Sequence, residues 1–257
     1  MFSDDLTKEQ IFKELYQFKT LEEVSVSKAF KDLCSVLNRH HQMSTLNICK
    51  NFPLALSWEY PYGISEKDLY QLIVDSNEYR LIKFVPNPSE ELCIKILHQS
   101  LSCAKYIKNK SSKIIETIFE IATLSETSLT NQTRILSFFS TNEMSNSIIY
   151  SCLNIHVQNF KYAPQNEQTA LTFLKQFPQI LNYAQEVCFT ANVISNALDQ
   201  DIDLFKTIPE SKQTIDLCLK VIYKKSDLYN FVKIVPNPTY EETLSNLIKI
   251  KAINDSL

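Results

Sequence analysis

A chain of 257 residues with a single glycine, Gly63, has few ways to fold. Phosphate-cradling loops need glycine for positive φ and close backbone approach. Walker, Rossmann and kinase-type sites therefore cannot be built here in their usual form. Tight hairpins closed by Asn-Gly or Asp-Gly are missing as well. What remains is a helical chain whose connections rely on Pro, Asn, Ser and Asp, and the fold class it predicts is all-α.

The second constraint is a duplicated phrase. LIKFVPNPSEEL runs from Leu81 to Leu92, and FVKIVPNPTYEE runs from Phe231 to Glu242. A looser form is one hydrophobic residue, one polar, two mostly hydrophobic, then a polar or proline turn. It starts at Leu46, Ile82, Ala104, Leu136, Phe160, Leu181, Phe205 and Val232. Amphipathic stretches follow nearly every copy. Leu92, Cys93, Ile96 and Leu97 form one helical stripe, and Ile114, Ile115, Ile118 and Phe119 form another. Further helices are predicted over Thr169–Phe177, Asn192–Leu198, Thr214–Ile222 and Glu242–Ile250. Thr7 with Gln10 and Thr239 with Glu242 have the spacing of capping boxes, while Pro88 and Pro238 hold the entering chain extended.

A unit of roughly 21 to 27 residues cannot bury its own apolar stripe, and stacking such units side by side does so. The expected architecture is an α-solenoid of short helical repeats forming one domain over residues 1–257. Its parts are a capping helix in 1–26 (Ile11, Leu15 and Phe18 on one face), stacks over 27–122 and 147–251, and an irregular connection at 123–146. VPNP is read as a corner, with Val inward and Asn and the two prolines ending one helix and launching the next.

Basic and acidic residues number 26 and 29, for a formal charge of −3, which disfavours nucleic acid as a partner. The seven cysteines are scattered with no C-x-x-C pair, no signal-peptide pattern opens the chain, and no apolar run spans a membrane. The expectation is a reduced, soluble, cytoplasmic protein.

Candidate chemistry is sparse. The Leu-Cys steps at Cys34, Cys93 and Cys218 read as packing choices, since a free cysteine behaves as a small hydrophobe. His40 and His41 point about 100° apart on a helix and cannot share a metal as an i, i+4 pair would. Asp199, Asp201, Asp203 and Glu210 fall at positions 1, 3, 5 and 12 of a calcium loop, but Leu204 stands where the sharp turn needs glycine. Lys105, Lys108, Lys110 and Lys113 surround Tyr106 and Asn109 and read as a solvated turn. Trp58, Tyr60 and Tyr62 sit in a cluster that interrupts the repeat, and they are the candidate protein interface. No catalytic, cofactor-binding or metal-ligating set is expected.

NPSEELCIKILHQSLSCAKYIKNKSSKIIETIFEIA, from Asn87 to Ala122, resembles a short helical-repeat family of unknown function. The family occurs in bacteriophages, intracellular bacterial pathogens and protists, and the likeness extends to Thr214–Glu242. The resemblance implies a non-enzymatic scaffold, with no catalytic residues to carry over. It suggests a phage or pathogen accessory protein in the host cytoplasm that binds and inhibits a host factor such as a defence protein. An RNA- or tRNA-binding helical repeat is the alternative.

Overall fold

The computed structural model describes residues 6–61, 63–124 and 129–233, together with Ser245. The second VPNP, the Thr239–Glu242 box and, apart from Ser245, the Glu242–Ile250 helix lie outside the described residues. The chain forms two compact units, Met1–Glu126 and Thr127–Leu257. No strand occurs among the described residues, and the protein is all-α.

The first unit opens with two helices, α1 (Lys8–Leu15) and α2 (Leu21–Val26), where one capping helix was expected. Each has its own capping box, Thr7 with Gln10 and Thr20 with Glu23, and the second box starts a new helix before the first can continue. Next come α3 (Lys28–Arg39), α4 (Thr45–Asn51), α5 (Glu66–Ser76), α6 (Glu90–Gln99) and α7 (Ser112–Thr123). The second unit holds α8 (Leu129–Gln132), α9 (Asn146–Ile155), α10 (Glu167–Leu174), α11 (Ala191–Gln200) and α12 (Ile215–Lys224). Side-chain N-caps define the starts: Ser44, Ser65, Ser89, Ser111, Ser145, Asn166, Thr190 and Thr214 each accept the amide three residues on.

Between these helices lie short 3₁₀ helices with a four-position pattern. They are Pro53–Ser57 after α4, Tyr79–Phe84 after α5 and Leu101–Tyr106 after α6. In the second unit they are Ile135–Phe138, Val157–Tyr162, Pro178–Tyr183, Ile202–Thr207 and Ser226–Phe231. The first two positions are buried: Leu81 and Ile82, Cys103 and Ala104, Ile135 and Leu136, Asn159 and Phe160, Ile180 and Leu181, Leu204 and Phe205. The third is polar and the fourth is usually aromatic: Phe84, Tyr106, Phe138, Tyr162, Tyr183, Phe231.

This register corrects the sequence reading at both ends. The stretch at Leu46 is part of α4, and the 3₁₀ pattern falls instead on Ala55-Leu56-Ser57-Trp58. At the other end it falls on Leu228-Tyr229-Asn230-Phe231, directly before the stretch read from Val232. Val85 follows Phe84 directly, whereas Val235 stands four residues after Phe231, so the two VPNP phrases follow their 3₁₀ helices at different distances. Segment 123–146, read as an irregular connection, holds α8 and 3₁₀ helices at Ile135–Phe138 and Thr141–Glu143, and buries Ile135, Leu136, Phe138 and Phe139.

Within the first unit α5 packs on α6 and α6 on α7, while the 3₁₀ helices pack on one another in the same order. The stripe predicted for α6 is observed, with Leu92, Cys93, Ile96 and Leu97 all buried. Full burial of each Leu or Ile is worth about 1.5–3 kcal/mol, which a ten-residue helix needs because it is marginal alone. In α7 the stripe is rotated: Thr117 is buried with Ile114 and Ile118, its hydroxyl donating to the Lys113 carbonyl at 2.8 Å, and Ile115 and Phe119 are half-buried.

Asparagine makes the corners. Asn77, Asn87 and Asn109 have φ of 54°, 50° and 53°, the left-handed region that asparagine tolerates better than most residues. Asn87 and Asn109 stand at matching places, two residues before the N-cap serines Ser89 and Ser111. Those serines also join successive helices. Ser89 Oγ donates to Glu66 Oε2 at 2.7 Å, and Ser111 Oγ donates to Glu90 in the next copy of the contact.

In the second unit one buried polar side chain ties three elements together. Asn159, with no exposed surface, accepts from the Leu136 amide at 3.1 Å through Oδ1. Its Nδ2 donates to the carbonyls of Gln132, Cys152 and His156 at 2.8–3.0 Å. Replacement by an isosteric leucine leaves the Leu136 amide without its side-chain acceptor and strips a donor from those carbonyls. Asn159→Leu should lower stability by on the order of 3 kcal/mol in urea unfolding followed by circular dichroism, even though it adds apolar volume.

Candidate functional site

A 3₁₀ helix has three residues per turn, so positions three apart share a ridge. In Tyr79–Phe84 this puts Leu81 and Phe84 on one ridge, Ile82 and Val85 on a second, and Arg80 and Lys83 on the outward one. Leu81, Ile82 and Val85 are buried, Phe84 is half-buried, and the outward ridge carries charge. The same arithmetic turns Ser102 and Lys105 outward in Leu101–Tyr106, both of them exposed.

The outward lysines lie over aromatic rings. Lys83 Nζ is 4.7 Å from the Phe84 centroid and 5.9 Å from that of Tyr106 in the following 3₁₀ helix. Lys105 Nζ is 4.8 Å from the Tyr106 centroid. In the second unit Lys161 covers Tyr162 at 4.8 Å, and Lys206 reaches Phe231 of the following 3₁₀ helix at 5.1 Å. Such contacts hold an ammonium in place for about 0.5–1 kcal/mol at exposed sites.

Between Tyr79–Phe84 and Leu101–Tyr106 lies a groove of about 290 Å³, walled by Lys83, Pro86, Asn87, Tyr106, Lys108 and Asn109. No acidic residue lines it. A groove of about 390 Å³ between α5 and α6 is by contrast mixed in charge, with Glu66, Glu91, Lys67 and Lys95. In the second unit a groove of about 410 Å³ between α11 and α12 is mainly apolar, with Ile194, Leu198 and Leu217 in its walls.

Trp58 is not on an insertion. It occupies the aromatic position after Ala55 and Leu56 and is half-buried, as Phe84 and Tyr106 are. Tyr60 is half-buried two residues on, and burial, then the nearby Glu66 carboxylate, raise its hydroxyl pKa above the ordinary value. Tyr62 lies outside the described residues. Sequence reading missed Lys83, whose second ring contact, Tyr106, is far along the chain; the lysine at the third pattern position is the signal that finds it.

The remaining candidates are occupied by structural work. Of the lysines around Tyr106, Lys110 donates to the Ile107 carbonyl at 2.9 Å and Lys113 pairs with Glu90 at 3.9 Å. Asp199 lies in α11, Asp201 caps Ile202–Thr207, and Asp203 pairs with Lys225 at 2.5 Å and Lys206 at 3.0 Å. Hydrogen bonds from those lysines hold the Asp203 carboxyl below its usual pKa. His41 Nε2 meets the Leu6 carbonyl at 3.0 Å, and His156 Nδ1 accepts the Gln158 amide at 3.1 Å. Among the described residues no group of three or more His, Cys, Asp or Glu is placed to hold a metal ion, and no helix is long and apolar enough to cross a membrane.

No protein-family model matches this chain, and neither a curated protein nor a solved structure matches it.

All seven cysteines are buried and none is in a disulfide. Burial pushes the thiols of Cys34, Cys49, Cys103 and Cys152 up to about 12, and that of Cys93 to about 11. These groups are neutral at physiological pH and poor nucleophiles. Because the folded pKa values lie above the ordinary 9.0, the unfolded chain loses protons first as pH rises. The thiol contribution to stability is therefore full below about pH 9 and falls as pH climbs toward 12. A thiol-reactive chromophore should label none of the seven in native protein at pH 8 and all of them in guanidinium, and midpoints of urea unfolding should drop above pH 9.

Proposed function

We propose that this chain is an α-solenoid of short helical repeats that binds another protein and carries out no chemistry of its own. The observation that carries this reading is the recurring edge of outward lysines and half-buried aromatics at the 3₁₀ corners. Aromatic side chains that keep part of their surface in water, on elements fixed by two buried neighbours, are suited to protein contacts. Trp58 and Tyr60 belong to that edge, which gives the interface read from the sequence a structural rationale. Buried neutral thiols and a paired Asp203 carboxylate fit a scaffold better than an active site.

The resemblance to helical repeats of phages and intracellular pathogens adds the biological part of the proposal. On that reading the chain is an accessory protein acting in the host cytoplasm, and its partner is a host factor, such as a defence protein, that it inhibits. The lysines and aromatics also motivate the RNA- or tRNA-binding alternative. That alternative predicts salt-sensitive retention on heparin or mixed RNA, as counterion release requires.

The test is capture from host lysate on the immobilised chain, alongside Trp58→Ala/Tyr60→Ala protein shown by thermal melting to be folded. One stoichiometric protein, depleted about tenfold by the double substitution, is the expected result. Recovery of nucleic acid alone, or turnover of a nucleotide or nucleic acid by the purified chain, would overturn it.

A further inference from the structure

Several cations of this protein are neutralised by a carboxylate neighbour. Lys95 pairs with Glu91 at 2.6 Å, Lys113 with Glu90, and Lys225 with Asp203. Lys83, Lys105 and Lys108 differ. Among the described residues none of the three has a carboxylate partner; Lys83 and Lys108 line the Pro86–Asn109 groove and Lys105 lies over Tyr106 in its wall, in a chain whose formal charge is −3. Local excess positive charge in an acidic protein is a feature that solubility does not require.

The groove is organised for an anion. Lys83 and Lys105 are steadied over Phe84 and Tyr106, so part of the entropy of fixing their ammonium groups is already spent before anything binds. Asn87 and Asn109 add carboxamides to the walls, in corners fixed by their left-handed backbones. Pro86 and Pro88 have no amide hydrogens, so these two walls offer an anion shape rather than donors. We infer that this groove holds an acidic segment of the protein partner, two or more Asp or Glu side chains in an extended stretch. The inference rests on the protein-binding reading and names the chemistry of its partner.

A peptide is favoured over nucleic acid for two reasons. Single-stranded nucleic acid needs open aromatic faces for its bases, and the Phe84 and Tyr106 rings already carry lysines. The cationic run is also short: the preceding corner has Ser57 where Lys83 and Lys105 stand. Two corners suit a few carboxylates better than a long polyphosphate track.

Fluorescence anisotropy on the full chain tests this, with a labelled peptide of about twelve alternating Glu and Ser residues, its Gln counterpart, and a labelled uridine oligomer of equal length. The Glu peptide should bind, weaken between about 50 and 200 mM salt, and lose about tenfold in affinity with Lys83→Glu/Lys108→Glu. Lys31→Glu/Lys50→Glu, which changes the net charge equally on exposed faces of α3 and α4, should retain the affinity within about twofold. Lys83→Arg/Lys108→Arg should also retain it. The inference is overturned if the Glu peptide binds no better than the Gln peptide, if both charge reversals weaken it alike, or if the uridine oligomer binds more tightly through the same lysines. A captured partner that tolerates Lys83→Glu/Lys108→Glu yet is lost with Trp58→Ala/Tyr60→Ala would remove this inference and leave the protein-binding reading intact.

Discussion

A 3₁₀ helix of six residues makes few hydrogen bonds of its own and persists only where side chains hold it down. Here two consecutive buried residues do so in every 3₁₀ helix that follows the pattern and is described there: Leu81 with Ile82, Ile180 with Leu181, Leu204 with Phe205. Their burial dictates the rest. With three residues per turn, the residue after the pair must face out and the next must lie along the core's edge. The cationic and aromatic edge within each unit is thus a geometric by-product of how its corners are anchored.

The α-helices have a complementary dependence. At about ten residues they are too short to be stable in isolation, so each needs a cap at its start and a neighbour along its flank. The first-turn glutamates serve both needs in the first unit. Glu66 and Glu90 sit near helix N-termini, where a carboxylate is favoured by the helix dipole, and each accepts from the N-cap serine of the next helix. Gln165 and Gln213 do related work in the second unit. Gln213 donates to the Ile208 carbonyl at 3.1 Å and accepts the Lys233 amide at 2.9 Å, linking one corner to the next.

Much of this was legible in the sequence. The all-α class followed from the single glycine, the α6 stripe from the spacing of Leu92, Cys93, Ile96 and Leu97, and the first helix start from Thr7 and Gln10. The corner register was not. A 3₁₀ helix of six residues completes two turns, too few to impose a period on a hydrophobic pattern, so Leu46 in α4 looked as good a match as Leu56. VPNP was misleading for a related reason: its Asn marks a left-handed corner at Asn87 and says nothing about distance from the preceding core pair. Trp58 seemed an interruption only because the register around it was wrong. Asn159 was invisible for another reason, since a hydrophobic position filled by asparagine reads as surface until its partners are known.

The left-handed asparagines have one more consequence, and it concerns the chain before it folds. Glycine would fit the backbone at Asn77, Asn87 and Asn109 with less strain, yet it would leave the unfolded chain with more conformations to surrender. A side chain at each corner narrows that ensemble, and prolines on both sides of Asn87 narrow it further. Part of the stability of these corners therefore resides in the restricted freedom of the denatured protein, where no contact in the native structure would reveal it.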